Sequence, residues 1–134
     1  MKILFFIITL IAINSNVYCQ ENDCSQFQTG YFRCQDTLGH TVIVKRTENR
    51  QEEIDQATGE HIKMKIRWTG ACEYELKQTW TSIKANRRSN RGVTKVTITA
   101  VMEDGSYRYS IHCACDTTGT PTNQGVMIKV KDKI

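Results

Sequence analysis

Apolar side chains recur at every second position in stretch after stretch of this chain, the period of a strand with one buried face. Val42 and Val44, then Ile62, Met64, Ile66 and Trp68, then Val96 and Ile98 all follow it. Beyond the N-terminal stretch no helical period is sustained, and Pro121 is the single proline, so strands are hardly interrupted. In an antiparallel hairpin paired residue numbers sum to a constant and facing residues share a side, so each turn can be tested against the alternation. Asp104-Gly105 reads as a two-residue turn with both positions at positive φ. It pairs Met102 with Tyr107, Ala100 with Tyr109, Ile98 with Ile111 and Val96 with Cys113 on the inner face. A three-residue loop at Thr69-Gly70-Ala71 pairs Trp68 with Cys72, Ile66 with Tyr74 and Met64 with Leu76, and sets Arg67 and Lys65 opposite Glu73 and Glu75 outside. Loops at Ala57-Thr58-Gly59 and Thr37-Leu38-Gly39, each with a left-handed glycine, pair Ile54 with Ile62, Cys34 with Val42 and Phe32 with Val44. Thr47-Glu48-Asn49, with Asn49 left-handed, sets Val42 against Ile54.

The expected fold is all-β: an eight-stranded antiparallel up-and-down meander over roughly 29–36, 41–47, 50–56, 60–68, 72–80, 93–103, 106–115 and 125–131. Closing as a small barrel buries the apolar face and removes the exposed edges. A flattened β-sandwich is the alternative.

The first residues are set aside before any fold reasoning. Lys2 precedes an apolar run of eleven residues, Ile3 to Ile13, and Val17-Tyr18-Cys19 reads as a cleavage signal before Gln20. Residues 1–19 are therefore expected to be a secretory signal peptide, since a spanning helix needs about twenty apolar residues. Bulky Tyr18 argues against acylation of Cys19. The remaining 115 residues, 20–134, form one domain. The formal charge of +4 for the whole chain is too small to indicate a nucleic-acid partner.

Export to the periplasm or beyond the cell implies an oxidising compartment, so Cys24, Cys34, Cys72, Cys113 and Cys115 are read as disulfide material with one thiol left over. The meander places Cys24 and Cys72 at one end of the barrel and Cys34, Cys113 and Cys115 at the other. Expected bridges are Cys24–Cys72 and Cys34 to Cys113 or Cys115. Cys113 and Cys115, about 7 Å apart along one strand face, are at the limit of disulfide reach.

No metal site, cofactor or catalytic group is expected. In His112-Cys113-Ala114-Cys115-Asp116 the imidazole points away from both sulfurs, and no nucleophile has a base at a recognised spacing. Glu52 falls on the inner face by register, either at a wet barrel end or, with Trp80 and Tyr109, as the polar handle of a candidate ligand cavity. Lys84, Arg87, Arg88 and Arg91 lie in the long loop 81–92, a candidate anion-contacting surface beside the mouth. The inward aromatics fit a core better than a nucleic-acid stacking surface.

One resemblance runs through these residues. Cys24-x-x-Phe27-x-Thr29-Gly30-x-Phe32, Lys45-Arg46-Thr47 with Gln51 and Glu53, Ile66-x-Trp68, Cys72-Glu73-Tyr74-x-Leu76 and the closing Gly125-Val126-Met127-Ile128-Lys129-Val130 resemble small exported lipocalin-like β-proteins of Bacteroidetes bacteria. The resemblance implies an exported barrel and no catalytic residues. Cys34, Cys113, Cys115 and the basic loop depart from its pattern. The expected function is an exported, non-enzymatic barrel that binds a small, partly apolar molecule. The alternative is a structural or protein-interaction module of the cell envelope with a filled core. A membrane span after signal cleavage is not expected.

Overall fold

The computed structural model of the protein describes residues 23–87, 92–113 and 123–131. Eight antiparallel strands close in chain order into a barrel: β1 (Gly30–Gln35), β2 (Thr41–Arg46), β3 (Arg50–Asp55), β4 (His61–Gly70), β5 (Glu73–Thr81), β6 (Val93–Val101), β7 (Tyr107–Cys113) and β8 (Asn123–Val130). β8 pairs with both β7 and β1, so no sandwich forms. The expected signal peptide, Arg88, Arg91 and Cys115 lie outside the described residues. Among the described residues no helix is long and apolar enough to cross a membrane. The outer face carries Lys63, Lys65, Arg67, Glu75 and Lys77, whereas a lipid-facing barrel wall is an apolar band.

The lower end is closed. A single 3-10 turn, Ser25–Phe27, runs beneath the strands, and Phe27 is fully buried with its ring 4.6 Å from that of Tyr107. The Cys24–Cys72 disulfide pins this turn to the β4–β5 corner as expected. Its 48-residue separation corresponds to about 4 kcal/mol of chain entropy removed from the unfolded state. Above it Phe32, Val44, Ile66, Tyr74, Val96, Ile98 and Tyr107 fill the lower interior.

The pairing of β1 with β2 is the expected one, with Cys34 opposite Val42, Phe32 opposite Val44 and Gly39 left-handed at φ 82°. Elsewhere the register shifts in instructive ways. β4 continues to Gly70, so Trp68 faces Tyr74 and Ile66 faces Leu76, two residues from expectation. An even shift keeps each side chain on its face. Arg67 consequently meets Glu75 at 2.6 Å, and Glu73 pairs with Lys95 at 3.0 Å instead. The β6–β7 loop is Glu103–Gly105, closed by Met102 N–H donating to Ser106 O (2.9 Å), and Gly105 alone is left-handed. A bulge at Thr99 then separates Ala100, opposite Arg108, from Ile98, opposite Tyr109. Val101 replaces Ala100 and Met102 against the core, while Ile98 and Ile111 both remain inward.

β3 is the one strand whose faces are reversed. Thr47 N–H donates to Arg50 O, so the β2–β3 loop is Glu48-Asn49, and no described non-glycine residue has positive φ. Val42 faces Asp55 and Val44 faces Glu53, a one-residue slip from the expected Val42–Ile54 pair. Gln51, Glu53 and Asp55 share the inward parity, and Ile54 is exposed.

Candidate functional site

The inward parity of β2, Val42 then Val44, continues to Arg46, which is 2% exposed. A buried guanidinium is costly unless its donors are used. Here Nε donates to Gln51 Oε1 (2.8 Å), Nη1 to Phe27 O (2.7 Å), and Nη2 to the Tyr74 and Tyr107 hydroxyls (3.0 and 3.3 Å). The same group lies over the rings of Phe32 and Tyr74 at 4.8 and 4.7 Å, where the negative ring faces attract it. Gln51 uses its own Nε2 to donate to Glu53 Oε1 at 2.7 Å. Arg46, Gln51 and Glu53 thus form a polar line rising through the barrel.

Above that line the interior opens into a cup of about 260 Å³. Val42, Leu76, Val96, Ile111 and Met127 make its apolar wall, and Gln51, Glu53, Cys34 and Tyr109 give it polar groups. Burial raises the Glu53 carboxyl above the usual range, partly offset by Gln51 and the Arg46 charge. Burial and then the Glu53 charge push the Cys34 thiol up to about 11. Tyr109 lines the cup with Cys34, and burial, then the thiol, raises the phenol as well. Gly125 stands opposite Tyr109, where an added Cβ would lie 2.5 Å from the hydroxyl oxygen. The missing side chain is what lets the tyrosine lie against the wall.

A second chamber of about 180 Å³ adjoins the cup through Asp36, Val42 and Glu53 and adds Asp55, Glu60 and Ile62. At its rim His40 Nδ1 lies 3.3 Å from Asp36 Oδ2 and 3.1 Å from Asp55 Oδ2. These donor atoms, all within 4.8 Å of one another, are the one such group of three metal-type side chains among the described residues. The other oxygen of each aspartate caps loop N–H groups, Asp36 those of Leu38 and His40, Asp55 those of Ala57 and Thr58. The cluster therefore ties the β1–β2 loop to the β3–β4 loop without a metal being needed to explain it.

Of the three expected cavity residues only Tyr109 reaches the cup. The β3 slip turns Glu52 outward, where its Oε2 meets His61 Nε2 at 3.2 Å. Trp80 also points out, 40% exposed. A bulge leaves Thr79 unpaired between Met64–Gln78 and Lys63–Trp80, and the Thr79 hydroxyl fastens it by donating to Lys63 O (3.0 Å). Trp80 then lies edge-on to His61 with Lys63 and Arg87 each 5.6 Å from its ring. Within the basic loop Arg87 is committed to that ring and to Thr81 O, and Lys84 lies in a 3-10 turn. The expected bridge from Cys34 does not form. Cys34 is free inside the cup, β8 stands between β1 and β7, and Cys113 is itself disulfide-bonded.

Sequence reasoning missed Glu53, Gln51 and Arg46 as site residues. The signal was present: alternation from Val42 and Val44 already turns Arg46 inward, and a buried guanidinium demands polar residues on the facing strand. No family model matches the chain, and no curated protein or solved structure matches it significantly.

Proposed function

We propose that the protein is an exported, non-enzymatic barrel that holds a small, partly apolar molecule in the upper cup. The cup carries the reading. Its aliphatic wall and a few convergent polar groups have the make-up of a ligand pocket, at a volume just under the roughly 300 Å³ where such pockets begin. The occupant is accordingly smaller than a drug-sized molecule. A non-catalytic role is supported by the thiol, because a nucleophilic cysteine needs a lowered pKa and Cys34 is pushed the other way. The Cys24–Cys72 disulfide is compatible with export. The resemblance to exported lipocalin-like proteins belongs to the same proposal, with the closed eight-strand barrel as its support.

Native mass spectrometry of protein purified from its own host tests this. A co-purified small molecule is the expected result. An empty barrel, with no binding of apolar fluorescent probes to the purified protein, overturns it. The envelope-module reading draws on one different observation, the outward Trp80 flanked by Lys63 and Arg87. Cross-linking in cells that recovers a single protein partner, lost in Trp80→Ala, would favour it.

A further inference from the structure

Resting on the ligand-binding reading, we infer that the cup selects a small organic cation, an alkyl- or arylammonium, with Glu53 as its counter-ion. The chain has 18 lysines and arginines against 14 aspartates and glutamates, so an average surface would be basic. The described lining of the cup is the reverse. Asp36, Glu53, Asp55 and Glu60 line the cup and its adjoining chamber, and among the described residues no lysine or arginine lines either. Low-dielectric walls bearing one sign of charge concentrate the opposite ion.

Within the cup Glu53 is the inner carboxyl. One of its oxygens accepts from Gln51. Arg46 makes no hydrogen bond to it, since all four guanidinium hydrogen bonds go to neutral acceptors, and its charge offsets burial only in part. When ionised, the carboxylate has no directly hydrogen-bonded cation among the described residues. Burial already works against that charge. An ammonium would supply the missing charge-assisted bond, while its hydrocarbon part meets Val42, Leu76, Val96, Ile111 and Met127. An anionic ligand would bring a like charge to Glu53, and a neutral one would add no opposite charge beside it.

Hexylammonium, 1-hexanol and hexanoate, titrated separately into the folded protein, test the inference by pairing one hydrocarbon with three head groups. Binding is read from methyl NMR shifts of Met127, Leu76 and Ile111. Hexylammonium is expected to bind about ten- to hundred-fold more tightly than hexanol, the range of one charge-assisted hydrogen bond, and hexanoate more weakly than either. In Glu53→Gln the advantage of the ammonium should vanish while hexanol still binds, which also reports that the variant is folded. Equal binding of ammonium and alcohol, or an advantage that survives Glu53→Gln, refutes the cation inference and leaves the small-ligand reading standing. Failure of all three to shift the cup methyls overturns both.

Discussion

Replacing Arg46 by methionine keeps most of the volume of the side chain and removes its charge and all its donors. Four hydrogen bonds are lost. The Tyr74 and Tyr107 hydroxyls both accept from Nη2, so without the guanidinium each can turn to the other. Gln51 Oε1 and Phe27 O are the acceptors left stranded in a sealed interior, at about 1–3 kcal/mol each. Relief of guanidinium desolvation works in the other direction. The net expectation is the usual cost of breaking a buried charged network from one side, about 3–5 kcal/mol. For a domain near a hundred residues that lowers Tm by roughly 12–20 °C. Urea unfolding followed by tryptophan fluorescence, with disulfides intact, measures it. Arg67→Met is the control: Arg67 makes an ion pair of 2.6 Å, but its side chain is 75% exposed, and the loss should stay within about 1 kcal/mol. Adding Gln51→Leu to Arg46→Met removes one stranded acceptor and should recover part of the loss. If Arg46→Met costs no more than Arg67→Met, the polar line does not hold the lower barrel together.

Three other outcomes are expected. Because the folded pKa of Glu53 is raised, the native state keeps its proton after the unfolded chain has released it. The associated stability is complete below about pH 4.3 and is lost as pH climbs through the folded value. The urea stability of the wild type relative to Glu53→Gln should therefore fall as pH rises, and a flat or rising difference would refute the assignment. Trp80→Phe should remove most of the acrylamide-quenchable emission, because Trp80 is exposed and Trp68 packs against the core; quenching unchanged by the substitution would place Trp80 inside. Gly125→Ala should cost about 1–3 kcal/mol by overpacking and drive the Tyr109 ring into the cup, visible as shifted Met127 and Ile111 methyl resonances; a neutral effect would show that Tyr109 does not lie against Gly125.

How far the sequence could be read depended on what each strand had to hide. β1 and β2 were legible to the residue, because Gly39 fixes the loop and Phe32, Cys34, Val42 and Val44 leave one face to bury. β4 and β5 were legible in facing but not in register, since a two-residue shift costs the alternation nothing. β3 was misread because Ile54 is its only apolar residue, and hydrophobicity alone sends it inward. The slip instead brings Gln51 to Arg46 and Glu53 to the cup, so hydrogen bonds rather than burial set that strand. The bulges at Thr79 and Thr99 were invisible, since a looped-out threonine is spelled like an outward one. Each threw the residues beyond it, Trp80 and Ala100, onto the opposite face from the one expected. Tyr109 lies on the inward side of the Thr99 bulge and kept its place.

The sealed lower end also shapes how the cup can work. With Phe27, the disulfide and the Arg46 line corking the base, a guest of the proposed kind would have to leave by the opening through which it arrived. Loading and release would then take place at the open end, while the lower half stays intact. A vessel of this kind can trade its contents quickly without ever risking its walls, so the pace of exchange and the toughness of the fold can be adjusted separately.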